Sequence, residues 1–118
     1  KPSQERANTM ITESKLILPK CDNEGYSLHN EAAMIETAIL QQFGGYNIAE
    51  SKGAWRDDKT GKVYRDECLT YTIAAEWSLL DNCIWMRQIA SYACAIMQQE
   101  CVYMCLDGQV EFVESYIK

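Results

Sequence analysis

The apolar residues of this chain switch between two periods, and the order of the switches limits the fold more than any motif does. Leu16, Ile17 and Leu18 centre a first extended run, Lys15 to Pro19. Leu28, Ala32, Ile35 and Ile39 then follow i, i+4, i+7, i+11, one stripe of an amphipathic helix, with Ser27 as its N-cap and Gly44-Gly45 as its stop. One filled face means that this helix lies on a sheet, with Glu31 and Glu36 toward water. Two extended runs follow, Tyr46 to Arg56 and Val63 to Ala75. Between them Asp57-Asp58-Lys59-Thr60-Gly61 is turn chemistry, and Gly61 can take the left-handed conformation that a short hairpin often needs. Leu69, Tyr71 and Ile73 alternate with Thr70 and Thr72, the period of a sheet with two unlike faces.

A long helix, about Leu79 to Gln99, comes next. Cys101 to Leu106 and Gln109 to Glu114 then flank Asp107-Gly108, among the strongest short-range hairpin signals. The order β-α-β-β-α-β with a terminal strand is that of the split βαβ, ferredoxin-like sandwich. It predicts an α+β domain with two helices on one face of a mostly antiparallel sheet, since each helix has a stripe to bury. A chain of 118 residues holds one core and little more. Residues 1–13 are polar and read as an arm; residues 14–118 read as the single domain.

The long helix carries more apolar surface than one sheet contact requires. Leu79, Cys83, Met86, Ala90, Ala93 and Met97 form one stripe. Trp85, Ile89, Tyr92 and Ile96 form a second, about 100° around the axis. A sunken helix and a subunit interface both account for the second stripe, and it is the expected contact of a homo-oligomer.

Charge narrows the partners. Acidic residues number 17 against 11 basic, a net charge of −6, and the basic residues read as dispersed. Such a field repels phosphate backbones and anionic lipid, so neither nucleic acid nor membrane is an expected partner. No apolar run reaches the roughly 18 residues that span a bilayer, and no secretory signal opens the sequence. Six cysteines suggest a disulfide scaffold, but five lie inside apolar patterns, no C-x-x-C pair occurs, and His29 is the single histidine. Free, mostly buried thiols in a reducing cytoplasm are expected, with no metal and no cofactor.

Catalytic templates are absent: no P-loop, Rossmann fingerprint, G-x-S-x-G or H-E-x-x-H occurs. One region stands apart. From Gly44 to Glu67 the chain gathers Tyr46, Trp55 and Tyr64 with Asp66 and Glu67 on two strands expected to pair. Aromatic faces beside a carboxylate can hold a cationic group such as a sulfonium; the same residues can equally be cross-strand pairs that stabilise a hairpin.

Gly53-Ala54-Trp55-Arg56 with downstream Glu67, then Ile89-Ala90-Ser91-Tyr92-Ala93-Cys94 and Gln99-Glu100-Cys101-Val102-Tyr103, resembles the phage S-adenosylmethionine lyases. From Leu16 to Val113 the chain also resembles small phage and mobile-element proteins with a Gly-Gly…Gly-Ala-Trp…Glu pattern. Both likenesses imply a ferredoxin-like fold, and the lyases imply trimers with ligand sites between subunits. The resemblance puts Glu67 at the lyases' functional glutamate and Trp55 at their functional tyrosine, without its hydroxyl. The lyase reaction yields methylthioadenosine and homoserine lactone by attack of the substrate's own carboxylate, and such a reaction needs positioning more than acid–base groups.

The sequence therefore predicts a small oligomeric binding or accessory protein of phage or mobile-gene origin, leaning away from catalysis. Its expected ligand is small and cationic, held at a subunit boundary by Tyr46, Trp55, Tyr64 and Glu67. An S-adenosylmethionine lyase using Glu67 and Trp55, and a protein–protein adaptor, are the alternatives.

Overall fold

The computed structural model describes residues 10–117. The arm expected over residues 1–13 falls largely outside the described residues. Its last two members, Thr12 and Glu13, already belong to the first strand. The elements run β1 (Thr12–Pro19), α1 (His29–Phe43), β2 (Asn47–Arg56), β3 (Val63–Ala75), α2 (Leu80–Ile96), β4 (Val102–Leu106) and β5 (Gln109–Val113). The strands form one sheet in the order β2-β3-β1-β4-β5, and every neighbouring pair is antiparallel. This is the ferredoxin-like α+β sandwich, extended at one edge by β5.

Local chemistry explains most of the element ends. Gly44, at φ 82°, closes α1 through its N–H to the Leu40 carbonyl, a conformation that costs glycine nothing. Ser27 stands one residue before the observed cap, and its hydroxyl accepts from the His29 N–H at 3.2 Å. The β2–β3 turn is closed by Asp57 N–H to the Lys62 carbonyl at 2.9 Å, and Gly61 takes the left-handed conformation expected of it, φ 73°. Asp107 and Gly108 are both left-handed, φ 50° and 88°, as a two-residue hairpin turn requires. The long helix ends earlier than its pattern suggests: the chain leaves the helix after Ile96, and Gln98 turns left-handed at φ 53°.

The core lies between the helices and one face of the sheet. Leu16, Leu18, Tyr71, Ile73, Met104 and Val113 supply the sheet side; Ile35, Ile39, Met86, Ala90, Ala93 and Met97 supply the helices. Trp77 seals one end, its ring packed on Phe43 with centroids 5.1 Å apart and its Nε1 donating to the Thr12 carbonyl at 3.0 Å. No buried side-chain nitrogen or oxygen among the described residues lacks a partner. Ser14, fully buried, shows how: its hydroxyl accepts the Asp107 N–H at 2.9 Å.

The six cysteines are free, as expected of unpaired thiols, but only Cys94 is buried; Cys21 and Cys101 are exposed. Apolar neighbours in sequence did not mean burial, because Cys105 sits on the strand face that no helix covers. No helix among the described residues is long and apolar enough to cross a membrane, and no group of three or more potential metal ligands occurs among them.

Candidate functional site

Register decides which of the singled-out residues meet. On β2 and β3, Trp55 pairs with Tyr64, Lys52 with Glu67, and Ile48 with Tyr71. Side chains alternate along a strand, so Trp55 and Tyr64 project from one side of the hairpin and Glu67 from the other, the side that faces the helices further along the strand. A single chain therefore does not bring Trp55 and Glu67 to one surface.

Trp55 and Tyr64 are stacked, with centroids 4.7 Å apart and planes 16° from parallel. Lys62 Nζ lies over the Tyr64 ring, 4.7 Å from its centroid. The pair is thus a preformed aromatic platform on which one cation–π position is already taken by the protein's own lysine. Trp55 is more than half exposed, so its outer face remains free for a ligand or a neighbour.

Glu67 stands in a small field of charges. Its backbone carbonyl accepts the Lys20 N–H at 3.0 Å, and Lys20 forms an ion pair with Glu50 on the same side of β2. The hydrogen bond and charge of Glu50 raise the Lys20 ammonium above its ordinary value, with Glu67 adding a smaller pull; reciprocally, Lys20 holds the Glu50 carboxyl low.

Tyr46 lies apart from both groups, at the root of the hairpin. Its ring meets Tyr71 edge-on, centroids 5.6 Å apart. The Tyr71 hydroxyl donates to Glu36 Oε2 at 2.6 Å. Burial, then the hydrogen bond and charge of Glu36, push the Tyr71 phenol far above its ordinary range; burial first, then Glu36, raises Tyr46 as well. Glu36 was expected to face water. It is half-buried instead, because α1 crosses the sheet with that residue over β3. This carboxylate held by phenols is a satisfied structural cluster that joins residues 35 apart in sequence, and no local pattern announces it.

The second stripe of α2 is split. Ile89 is buried, and Ile96 packs against the core. Trp85 and Tyr92 remain 46% and 39% exposed, and they are the two members still free to meet another molecule.

One further feature escaped the sequence reading. Lys52, Arg56, Lys59, Lys62 and Arg65 all lie on the outer part of the β2–β3 hairpin. Basic residues that read as dispersed along the sequence are gathered here, five of the 11, beside Asp57, Asp58, Asp66 and Glu67 over the paired stretch 52–67. A hairpin folds two short sequence stretches together, which doubles the local density of whatever charge they carry.

No family model and no curated protein sequence matches the chain. Two solved structures do. A phage SAM lyase in complex with S-methyl-5'-thioadenosine superposes with a TM-score of 0.66 at 10% identity, covering 90% of this chain and 91% of that one. A phage SAM lyase in its apo state gives 0.67 at 11% identity, covering 100% and 99%. The chain thus shares, along its full length, the fold that its sequence distantly resembles; at such identities the likeness is one of fold.

Proposed function

We propose that this protein is a self-associating S-adenosylmethionine lyase, which splits its substrate into methylthioadenosine and homoserine lactone at a site completed by a neighbouring subunit. The observation that carries the reading is the end-to-end match to phage SAM lyases, one of them holding S-methyl-5'-thioadenosine. The match runs through nearly the whole of both chains, helices and all five strands included.

The reaction suits what the chain offers. A carboxylate oxygen of the substrate attacks its own γ-carbon as the bond from that carbon to sulfur breaks. The electron pair leaves with sulfur, and the sulfonium becomes a neutral thioether. No proton moves. Opposite charges vanish in the transition state, so a dry aromatic surface favours it over the charged ground state, and the protein's task is to hold a folded conformer. Trp55 offers its free face to the sulfonium. Glu67 offers a carboxylate to the substrate's ammonium. Because these two project from opposite sides of one hairpin, the reading assigns them to different subunits around the ligand, with Tyr64 backing Trp55. Tyr46 supports the root of the hairpin. A reducing cytoplasm fits the six free thiols.

The test is product formation. Incubation with S-adenosylmethionine should yield methylthioadenosine and homoserine lactone in equal amounts by chromatography, and Glu67→Gln should cut the rate at least tenfold. Binding without turnover is the second reading, favoured by Trp55 standing where the resembling lyases carry a tyrosine. A rise in melting temperature with substrate but no product would establish it, and no shift at all would sink both.

A further inference from the structure

The register that parts Trp55 from Glu67 brings it to a different carboxylate. Trp55 pairs with Tyr64, Gly53 with Asp66, and Ser51 with Cys68. Steps of two along each strand keep all six on one side of the hairpin. Asp66 is the only charged member of the six, because Lys52, Arg56, Arg65 and Glu67 project from the other side. It follows Tyr64 by two positions, about 7 Å along the strand, and it lies diagonal to Trp55, a separation that side chains of this length span. Its charge is felt on this side of the hairpin. Burial first, and then the Asp66 carboxylate, push the Cys68 thiol up, while a hydrogen bond from the Gly53 backbone works against them. The two ion pairs among the described residues, Lys20 with Glu50 and Arg87 with Glu111, leave the Asp66 carboxylate without a cation.

Gly53 supplies room. The two strands pair without a bulge from Asn47 to Arg56, and Gly53 is not among the left-handed glycines, so its backbone does not require glycine. A Cβ placed there would meet nothing nearer than Cys68 Sγ, at 4.0 Å. Glycine inside a strand weakens it and often marks a place where a ligand approaches closely. Here it leaves a gap one side chain wide, between Trp55 and Ser51, with Asp66 directly across.

We infer that this gap is a binding site for a small organic cation, a sulfonium or a quaternary ammonium, resting against Trp55 with Asp66 as its counter-charge. Both kinds of ligand carry a diffuse positive charge under an apolar skin, which a ring face attracts and a carboxylate neutralises. The aromatic stack already holds one cation. Lys62 Nζ lies 4.7 Å from the Tyr64 centroid, so Trp55 is the ring of the pair still open. Every residue of the site comes from one chain. The site shares Trp55 with the reaction proposed above, and it rests on that reading only in counting S-adenosylmethionine among its ligands. In that reaction Asp66 is a binding residue and not a catalytic one. It favours the sulfonium before the bond breaks and loses its partner as the thioether forms, so it lowers KM without raising kcat.

Nuclear magnetic resonance of the indole N–H groups tests this on the intact protein. The Trp55 signal, assigned by its loss in Trp55→Phe, should shift on addition of choline or S-adenosylmethionine. Each should bind about fivefold or more tightly than its counterpart without the positive centre, 3,3-dimethylbutan-1-ol or S-adenosylhomocysteine. Asp66→Asn should weaken both cations about threefold, and Gly53→Val should abolish binding by filling the gap, each with an unchanged circular dichroism spectrum. Tighter binding of S-adenosylmethionine than of choline assigns the site to sulfoniums, and the reverse assigns it to quaternary ammoniums. A Trp55 signal that no cation moves overturns the site. So does equal binding of the neutral counterparts, or an Asp66→Asn protein of unaltered affinity. Cation binding without product removes the reaction and keeps the site; product formation with KM unmoved by Asp66→Asn keeps the reaction and removes the site.

Discussion

Two aromatic pairs sit on the same hairpin and live in different worlds. Tyr46 and Tyr71 meet at its root, where Tyr71 is fully buried and its hydroxyl is tied to Glu36. Trp55 and Tyr64 stack at its tip, with water around them and Lys62 above. Both are cross-strand aromatic contacts, and both follow the sheet's period. What separates them is the face: Tyr71 projects toward the helices, where α1 reaches it, while Trp55 and Tyr64 project from the opposite side of the hairpin, which no helix among the described residues covers. Aromatic clustering alone therefore says little about role, and the neighbour beyond the pair decides whether it holds the fold or waits for a partner.

The sharpest way to break this comparison is truncation at the root. Tyr71→Ala should cost about 3–5 kcal/mol, enough to unfold a marginal domain, as a fully buried ring is lost and its cavity stays. Urea denaturation reads this directly, and a loss under about 1 kcal/mol would mean that the root is not core. Tyr71→Phe is milder. It keeps the ring and removes only the bond to a charged acceptor, for an expected loss of about 1.5–3 kcal/mol at neutral pH.

The same pair should mark the pH profile. The folded Tyr71 phenol is held protonated far above the ordinary value for tyrosine, by burial and by Glu36. The folded state thus keeps a proton that the unfolded chain releases above pH ~10. This contribution to stability is complete below that value and is lost progressively as pH climbs beyond it. Urea midpoints should fall between pH 9 and pH 11, and Tyr71→Phe should flatten the fall; an equal slope in the variant would assign it elsewhere. Smallest is Trp55→Ala, expected to change the stability of a single chain by less than about 0.5 kcal/mol. A larger change, measured at concentrations where the protein is monomeric, would mean that the tip is supported after all.

Much of the fold was legible because its turns are written in chemistry that has few alternatives. Asp107-Gly108 and the Gly61 turn each fix a hairpin, and two fixed hairpins with two helical periods leave little topological choice. The turn at Asp57 to Lys62 even contains the site's most important fact: it pairs Trp55 with Tyr64 and Glu67 with Lys52, hence on opposite sides. Reading aromatic and acidic residues as a cluster along the chain passed over that parity. Other features were beyond reach. The stripe of Ile89 and Ile96 announces that something covers it, but α1 and a second subunit are equal answers until the helices are placed. Glu36 meets Tyr71 only through tertiary packing. The exit of α2 after Ile96 depends on a left-handed Gln98, a conformation that its sequence does not advertise.

The position of β1 has a consequence for how the protein is made. It leaves the ribosome before the other four strands of this sheet, yet it lies at the centre, between β3 and β4. Its two edges stay unpaired until residues as distant as Ala75 and Cys105 have been synthesised. Until then Leu16 and Leu18, fully buried in the finished domain, are held in a chain with nowhere to bury them, the exposure that makes nascent strands prone to stick. Folding of the sheet must therefore wait until β4 has been made, and truncated products that stop before β4 should be degraded or aggregate rather than persist as partial domains.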